Sequence, residues 1–166
     1  MIILETARLT LREFVLTDVD DLARTLCDHE NMRFYPKPFK RADVEYWIDR
    51  CLARYASDKT ALWALILKET GQLIGDCGLV QQQVDGTTET EIAYHLQRDH
   101  QGRGLATEAT RACRDHGFQT LGHKRLISLI RPENVPSRRV AERNGMLVEK
   151  ETIFQGLPHL VYVARP

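Results

Sequence analysis

The spacing of apolar residues changes several times along the chain, and each change marks a new element. Leu9 and Leu11 alternate with polar residues, which predicts an extended strand within 8–15. Apolar residues then recur every three or four positions over 18–28, which predicts an amphipathic helix with Thr17 as its cap. A second helix is predicted over 44–55, where the same spacing continues. Its apolar positions are Val44, Trp47, Ile48, Cys51, Leu52 and Tyr55.

The middle of the chain changes to strand-like patterning. Apolar runs over 61–68, 73–82 and 88–96 are separated by turn residues at 69–72 and by Asp85-Gly86, which predicts a three-stranded meander. After the glycines of 102–104, helical spacing returns. One face of a long helix is predicted from Leu105, Ala109, Ala112, Cys113 and Leu121.

The last part of the chain alternates again between strand and helix. A short strand is predicted over 125–131, and Asn134 with Pro136 opens a short helix that Gly145 closes. The segments 147–153 and 160–164 are predicted to form a final hairpin. The predicted order is β-α-α-β-β-β-α-β-α-β-β, an α/β (α+β) mixed sheet with helices on its faces and one domain over 1–166.

Composition and charge narrow the class of protein. The 166 residues carry 23 basic and 23 acidic side chains, which argues against a nucleic-acid partner. The longest apolar run covers seven residues, 61–67, so we expect no membrane span and no signal peptide. The four cysteines lack metal-ligand spacing and are expected to be reduced thiols in a cytoplasmic protein without a metal.

The segment 91–109 is the most informative for function, because a strand leads through a two-glycine loop into a helix. Bare N–H groups in such a loop, with the helix N-terminus, form an anion site, and Arg103 adds positive charge. No phosphate loop of the Walker type is present. A dinucleotide fingerprint nearly fits, but its last position is Thr107 and no acidic residue ends the next strand. A phosphate site or a simple tight turn remain as alternatives.

A resemblance to a known family is carried by several segments that occur in the family's order. The loop Gln101-Gly-Arg-Gly-Leu-Ala106 is similar to the acetyl-CoA loop of the GNAT superfamily of N-acetyltransferases. The other segments resemble its RimJ/RimL-like branch, which acetylates ribosomal-protein N-termini. They are Thr6-Ala-Arg-Leu-Thr-Leu-Arg12, Glu91-Ile-Ala-Tyr94, Thr107-Glu-Ala109, Asn134-Val-Pro-Ser137, Arg139-Val-Ala-Glu-Arg-Asn-Gly145 and the final strand with Tyr162.

The resemblance implies a largely antiparallel sheet that is splayed at an acetyl-CoA site. The strand backbone at Tyr94, His95 and Leu96 would pair with the pantetheine arm, and Asn134 would touch the pantetheine or phosphate part. Arg143 would lie at the nucleotide end. The pyrophosphate would be held by Gln101, Gly102, Arg103, Gly104, Leu105, Ala106 and Thr107.

The usual acid and base of the family are missing from this chain, because their positions hold Ala141 and Leu129. The resemblance offers Ser137 as the general acid, although a serine there can instead cap the helix. Glu91 is the candidate general base, acting through a water, or a carboxylate that is only paired at the strand edge. His95 and His100 are further titratable candidates, or ordinary histidines of a strand edge and a loop.

The sequence therefore predicts a cytoplasmic acetyl-CoA-dependent N-acetyltransferase, acting by direct transfer in a ternary complex. The expected acceptor is a primary amine, foremost the α-amine of a protein or peptide. Two alternatives are an antibiotic or polyamine acceptor and a CoA-binding regulatory module without turnover. A monomer or a homodimer is expected.

Overall fold

The computed structural model describes residues 1–57 and 60–166. Within them the chain forms one eight-stranded sheet with helices on both faces. The strands are β1 (Ile2–Glu5), β2 (Leu9–Arg12), β3 (Leu62–Leu67), β4 (Gln72–Val84), β5 (Thr87–Leu96), β6 (Leu126–Ile130), β7 (Leu147–Phe154) and β8 (Leu157–Ala164). The α-helices are α1 (Val19–Leu26), α2 (Arg41–Ser57), α3 (Leu105–Gln119) and α4 (Val135–Arg143).

The strand order across the sheet is β1-β2-β3-β4-β5-β6-β8-β7. Neighbouring strands run antiparallel except for β5 and β6, which are parallel and joined through α3. The predicted mixed, largely antiparallel sheet is confirmed. The parallel pair lies near the middle of the sheet, where the α3 crossover returns the chain to the same direction.

Two apolar cores lie on opposite faces of this sheet. On one face, α3 buries Leu105, Ala109 and Cys113 among strand side chains, and α4 adds Ala141. On the other face, α1 and α2 pack against residues of β3 and β4. The residues that these two helices bury there include Val19, Leu22, Leu26, Val44, Ile48 and Cys51. The sheet therefore separates an α3/α4 side from an α1/α2 side, and both sides contribute to the site described below.

Two predictions about the N-terminal region are wrong. A separate edge strand, β1, precedes the predicted first strand, and its sequence Ile-Ile-Leu-Glu lacks the alternation that indicates a half-buried strand. Thr17 does not cap α1. The N-cap position of α1 is Asp18, and no side chain caps the helix there. The Asp18 carboxylate instead accepts the backbone N–H of Val15 at 2.9 Å and pairs with both Nη atoms of Arg12 at 2.7 and 2.9 Å.

Among the described residues, no helix is long and apolar enough to cross a membrane. The four cysteines are free thiols, and three of them are buried. The Sγ atoms of Cys77 and Cys113 lie 3.5 Å apart within the α3/α4 core. Within residues 1–57 and 60–166, no three His, Cys, Asp or Glu side chains are grouped so that they could hold a metal ion.

Candidate active site

The site forms where β5 and β6 separate. In the described part of the chain, their parallel pairing is confined to Glu91 and Ile127. Beyond that point, side chains replace the missing ladder bonds: Ser128 Oγ donates to the carbonyl of Ile92 at 2.9 Å, and the N–H of Leu129 donates to Glu91 at 3.2 Å. The splay that the resemblance implies is therefore present.

A cavity of about 390 Å³ passes through this gap in the sheet. Tyr94, Ser137 and Ala141 line it on the α3/α4 side, and Trp47 and His95 line it on the α1/α2 side. A molecule bound from one face can therefore meet a molecule bound from the other. This is the geometry that a transfer reaction between two substrates requires.

The loop before α3 has the backbone of an anion site. Gly102 and Gly104 have φ of +73° and +77°, a left-handed conformation that glycine adopts without steric cost. The N–H groups of residues 102–104 make no backbone hydrogen bond to any described residue, and the first N–H groups of α3 have no partner within the helix. The buried Oγ1 of Thr107 has no partner among the described residues either.

The rest of the loop is fixed by contacts made outside the anion site. Gln101 Nε2 donates to the Leu96 carbonyl at 3.0 Å and to Asn31 Oδ1 at 2.7 Å. Arg8 Nη1 donates to the carbonyl of Arg103 at 2.9 Å and also pairs with Glu108. The unpartnered N–H groups are thus held in place before any ligand arrives, which suits a pyrophosphate.

A second cavity adjoins this loop, and its lining holds three arginines and two carboxylates, Glu108 and Asp115. Gly104 and Thr107 line it together with the exposed residues Arg8, Arg111 and Arg143. Arg143 was predicted at the nucleotide end of the cofactor, and its position beside the loop fits that role. Arg8 and Arg111 were missed. Arg8 lies within the N-terminal motif of residues 6–12, and Arg111 follows Thr107 by one helical turn, so a local sequence signal existed for both.

Tyr94 and Ser137 form a hydroxyl pair inside the cavity. Tyr94 Oη and Ser137 Oγ lie 2.9 Å apart. Burial raises the pKa of Tyr94 to about 12, so its phenol stays protonated near neutrality. Asn134 Oδ1 caps α4, since it accepts the N–H of Ser137 at 3.2 Å. The Ser137 hydroxyl is therefore not the helix cap, and it is available for chemistry.

Glu91 lies at the base of the gap, with 8% of the residue exposed. One carboxylate oxygen accepts the N–H of Leu129 at 3.2 Å, and the other accepts Gln82 Nε2 at 2.9 Å. Burial raises the pKa of Glu91 to about 7, although these hydrogen bonds lower it. A carboxylate that titrates near neutrality suits a general base. No described cation forms an ion pair with it, and both of its oxygens are hydrogen-bonded, so a structural pairing at the strand edge and a role as base remain two readings of Glu91.

His95 follows Glu91 by four residues on β5, an even separation that places both side chains on the α1/α2 side. Its Nδ1 lies 2.7 Å from Oδ1 of Asp76, which is completely buried. Burial alone would lower the pKa of His95, but the Asp76 carboxylate outweighs it and raises the pKa above 6.5. Trp47 Nε1 also donates to Asp76, at 3.2 Å, and the ring of Tyr35 lies 5.1 Å from the His95 ring.

The structure also places the remaining predicted residues. The Leu96 side chain is buried in the core, and Leu105 and Ala106 form the first turn of α3. His100 lies outside the cavity, within 3.4 Å of Arg103. Asp76 was missed by sequence reasoning. Its signal is a single carboxylate within the otherwise apolar run of β4.

Comparisons with known proteins agree with this geometry. Residues 8–147 match the family model described as the acetyltransferase (GNAT) domain. An uncharacterized N-acetyltransferase, p20 of Bacillus licheniformis, is 33% identical over 159 residues, which cover 92% of this chain and 85% of the relative.

Solved structures show the same fold. An acetyltransferase from Agrobacterium tumefaciens is 28% identical, with a TM-score of 0.85 over 98% of this chain and 94% of the other. RimL, a ribosomal L7/L12 α-N-protein acetyltransferase solved with coenzyme A, shares the fold at 16% identity, with a TM-score of 0.81 over 99% and 98% of the two chains. The predicted resemblance is confirmed: the chain belongs to the GNAT family of acetyltransferases.

Proposed function

We propose that this acetyltransferase moves an acetyl group from acetyl-CoA to the N-terminal α-amine of a protein or peptide, by direct attack in a ternary complex. The observation that carries the proposal is the continuous cavity through the splayed sheet. A carboxylate with a pKa of about 7 lies in it, and the anion loop lines the second cavity. The RimL neighbour, which acts on an α-amine, supports the same acceptor class.

The residues on the α3/α4 side fit the donor substrate. The unpartnered N–H groups of 102–104 and the Thr107 hydroxyl would hold the pyrophosphate, and Arg111 and Arg143 would hold the nucleotide end. The free edge of β5 at 94–96 and the Asn134 amide would hold the pantetheine arm. Acetyl-CoA supplies the activated acyl carbon as a thioester.

The pKa of the base favours an α-amine over a lysine side chain. An α-ammonium group has a pKa of about 7.7–8.0, whereas a lysine ammonium group has a pKa of about 10.4. Glu91, with a pKa of about 7, can therefore take a proton from an α-ammonium group with a small free-energy cost. For a lysine the cost would be about 3 kcal/mol larger, which corresponds to a rate loss of more than 100-fold.

Ser137 and Tyr94 supply the proton for the leaving thiolate. Ser137 Oγ and Tyr94 Oη share a hydrogen bond of 2.9 Å, so a proton that leaves the serine can be replaced from the phenol. The pair takes the place of the usual family tyrosine, whose position holds Ala141. Glu91 and this hydroxyl pair lie on adjoining parts of one cavity, so a base and an acid can serve one transfer.

Direct transfer is supported by the protonation state of the Cys51 thiol, which lines the cavity. Cys51 is the only cysteine among the described residues that line the cavity, and burial raises its pKa to about 12. A thiol that stays protonated is a poor nucleophile. An acetyl-cysteine intermediate is therefore disfavoured.

The test is a thiol-release assay with three kinds of acceptor. A peptide with a free α-amine should be acetylated, and the same peptide with a blocked N-terminus and an internal lysine should react at least 100-fold more slowly. A panel of aminoglycosides and polyamines gives the third arm. Faster turnover on that panel would establish a small-molecule enzyme, and acetyl-CoA binding without any turnover would establish a regulatory module.

A further inference from the structure

The charge of the cavity wall differs from that of the whole chain. The chain as a whole has no net charge. Among the described residues that line the main cavity, however, Glu91 is the only carboxylate, while four are lysines or arginines. The four cationic residues are Lys37, Arg50, Arg54 and Arg131.

Part of this positive charge has no internal counterion. Arg131 pairs with Glu133, and the Asp76 carboxylate lies against His95. Lys37 and Arg50 make no ion pair within the described part of the chain. The Arg50 guanidinium instead lies 5.8 Å from the centre of the Tyr46 ring. Both residues are exposed, so their charges are open to a bound acceptor.

We infer that the acceptor is an acidic peptide N-terminus, with aspartate or glutamate within the first few residues after the reactive α-amine. This inference rests on the proposed function and specifies its substrate. A cleft whose lining carries an excess of one charge concentrates ligands of the opposite sign, and here four cations face one carboxylate. An extended peptide advances about 3.3–3.6 Å per residue, and Glu91, Lys37 and Arg50 line one cavity, so the residues after the α-amine would lie along the wall that carries these cations.

The same wall disfavours the alternative acceptors. Polyamines and aminoglycosides carry several positive charges, and each would be repelled by Lys37 and Arg50. A single α-ammonium group is also repelled slightly, but this repulsion favours its loss of a proton, which the reaction requires. The charge of the wall therefore separates acidic peptides from cationic small molecules.

The experiment compares three peptides that differ only at positions two and three: Ala-Asp-Glu, Ala-Asn-Gln and Ala-Lys-Lys, each followed by the same neutral tail. At low ionic strength we expect kcat/KM for the acidic peptide to exceed that for the neutral one by about tenfold, with the lysine peptide slowest. The difference should shrink as salt is added, because exposed charges are screened. The effect should appear mainly in KM.

Charge reversal identifies the residues responsible. Arg50→Glu should remove or invert the preference for the acidic peptide over the neutral one, measured as the ratio of their kcat/KM values. Arg24→Glu is the matched control, since Arg24 is an exposed arginine of α1 that does not line the cavity. It should leave the preference unchanged.

Equal kcat/KM values for the three peptides, or an unchanged preference in Arg50→Glu, would overturn the inference and leave the proposed function standing. Failure of all three peptides, in a protein that binds acetyl-CoA, would overturn the proposed function and this inference together.

Discussion

Replacing Glu91 by glutamine should make the protein more stable and less active at the same time. In the native state burial raises the pKa of Glu91 from 4.5 to about 7, whereas in the unfolded chain the side chain is solvated. Each pKa unit is worth about 1.4 kcal/mol. Keeping this carboxylate in the fold therefore costs up to about 3 kcal/mol at pH 8.

The sign of this effect fixes its pH dependence. A raised native pKa means that the native state holds the proton more tightly than the unfolded state. The proton on Glu91 therefore stabilises the fold, and this stabilisation is complete below about pH 4.5. It is lost as the pH rises through about 7. Glutamine mimics the protonated form and has no such loss. A Glu91→Gln variant should therefore match the parent at pH 4.5 and melt several degrees higher at pH 8.

The hydrogen bonds of Glu91 allow the substitution. A glutamine carbonyl can still accept the N–H of Leu129, and the Gln82 amide can rotate to accept the new NH₂ group. Turnover should fall by about 10²–10⁴-fold, as expected for loss of a general base. Glu89→Gln is the matched control: Glu89 lies on the same strand but pairs with Arg125, so its loss should not raise stability and should leave turnover near the parent value.

Thermal melts at pH 4.5 and 8, together with the thiol-release assay, measure both effects. A Glu91→Gln protein that melts lower than the parent at pH 8 would show that the carboxylate is a structural anchor rather than a strained base. Unchanged turnover would remove Glu91 from the chemistry.

Three further substitutions test the other parts of the site. Ser137→Ala should lower turnover by about 100-fold, as expected for loss of a general acid. The melting temperature should change little, because Asn134 and not Ser137 caps α4. Turnover within a few-fold of the parent would exclude Ser137 as the acid. Gly104→Glu should abolish acetyl-CoA binding by calorimetry, whereas Gly122→Glu, with a similar φ of +74°, should carry the same backbone strain and bind normally. Retained affinity in a folded Gly104→Glu protein would refute the donor site. Asp76→Asn should lower the pKa of His95, because the neutral amide no longer stabilises the imidazolium. The NMR titration of His95 should therefore shift to lower pH, and an unchanged titration would contradict the pairing.

The local parts of this structure could be predicted from the sequence. Helical spacing located α1 to α3, the start and stop residues Asn134, Pro136 and Gly145 located α4, and turn residues separated the strands. The anion loop could be found because its glycines, Gly102 and Gly104, lie two residues apart and directly before the start of a helix. The edge strand β1 could not, because both of its faces are partly exposed and its apolar residues do not alternate.

The parts of the site that depend on distant contacts could not be predicted in the same way. Tyr94 and Ser137 are 43 residues apart, and Asp76 and His95 are 19 residues apart, so no local pattern links them. Whether Ser137 was an acid or a cap could not be decided either. That choice depends on which acceptor takes the N–H of residue 137, and the structure shows that Asn134 takes it.

The splay of the sheet explains why a base can exist here although the usual family glutamate is absent. Where β5 and β6 part, the N–H of Leu129 loses the strand partner that a continuing ladder would provide. The Glu91 carboxylate accepts it instead, and this contact keeps Glu91 buried at the base of the gap. Burial then raises its pKa to about 7. The same separation of strands that admits two substrates thus also produces a carboxylate that can exchange protons with an α-amine near neutral pH.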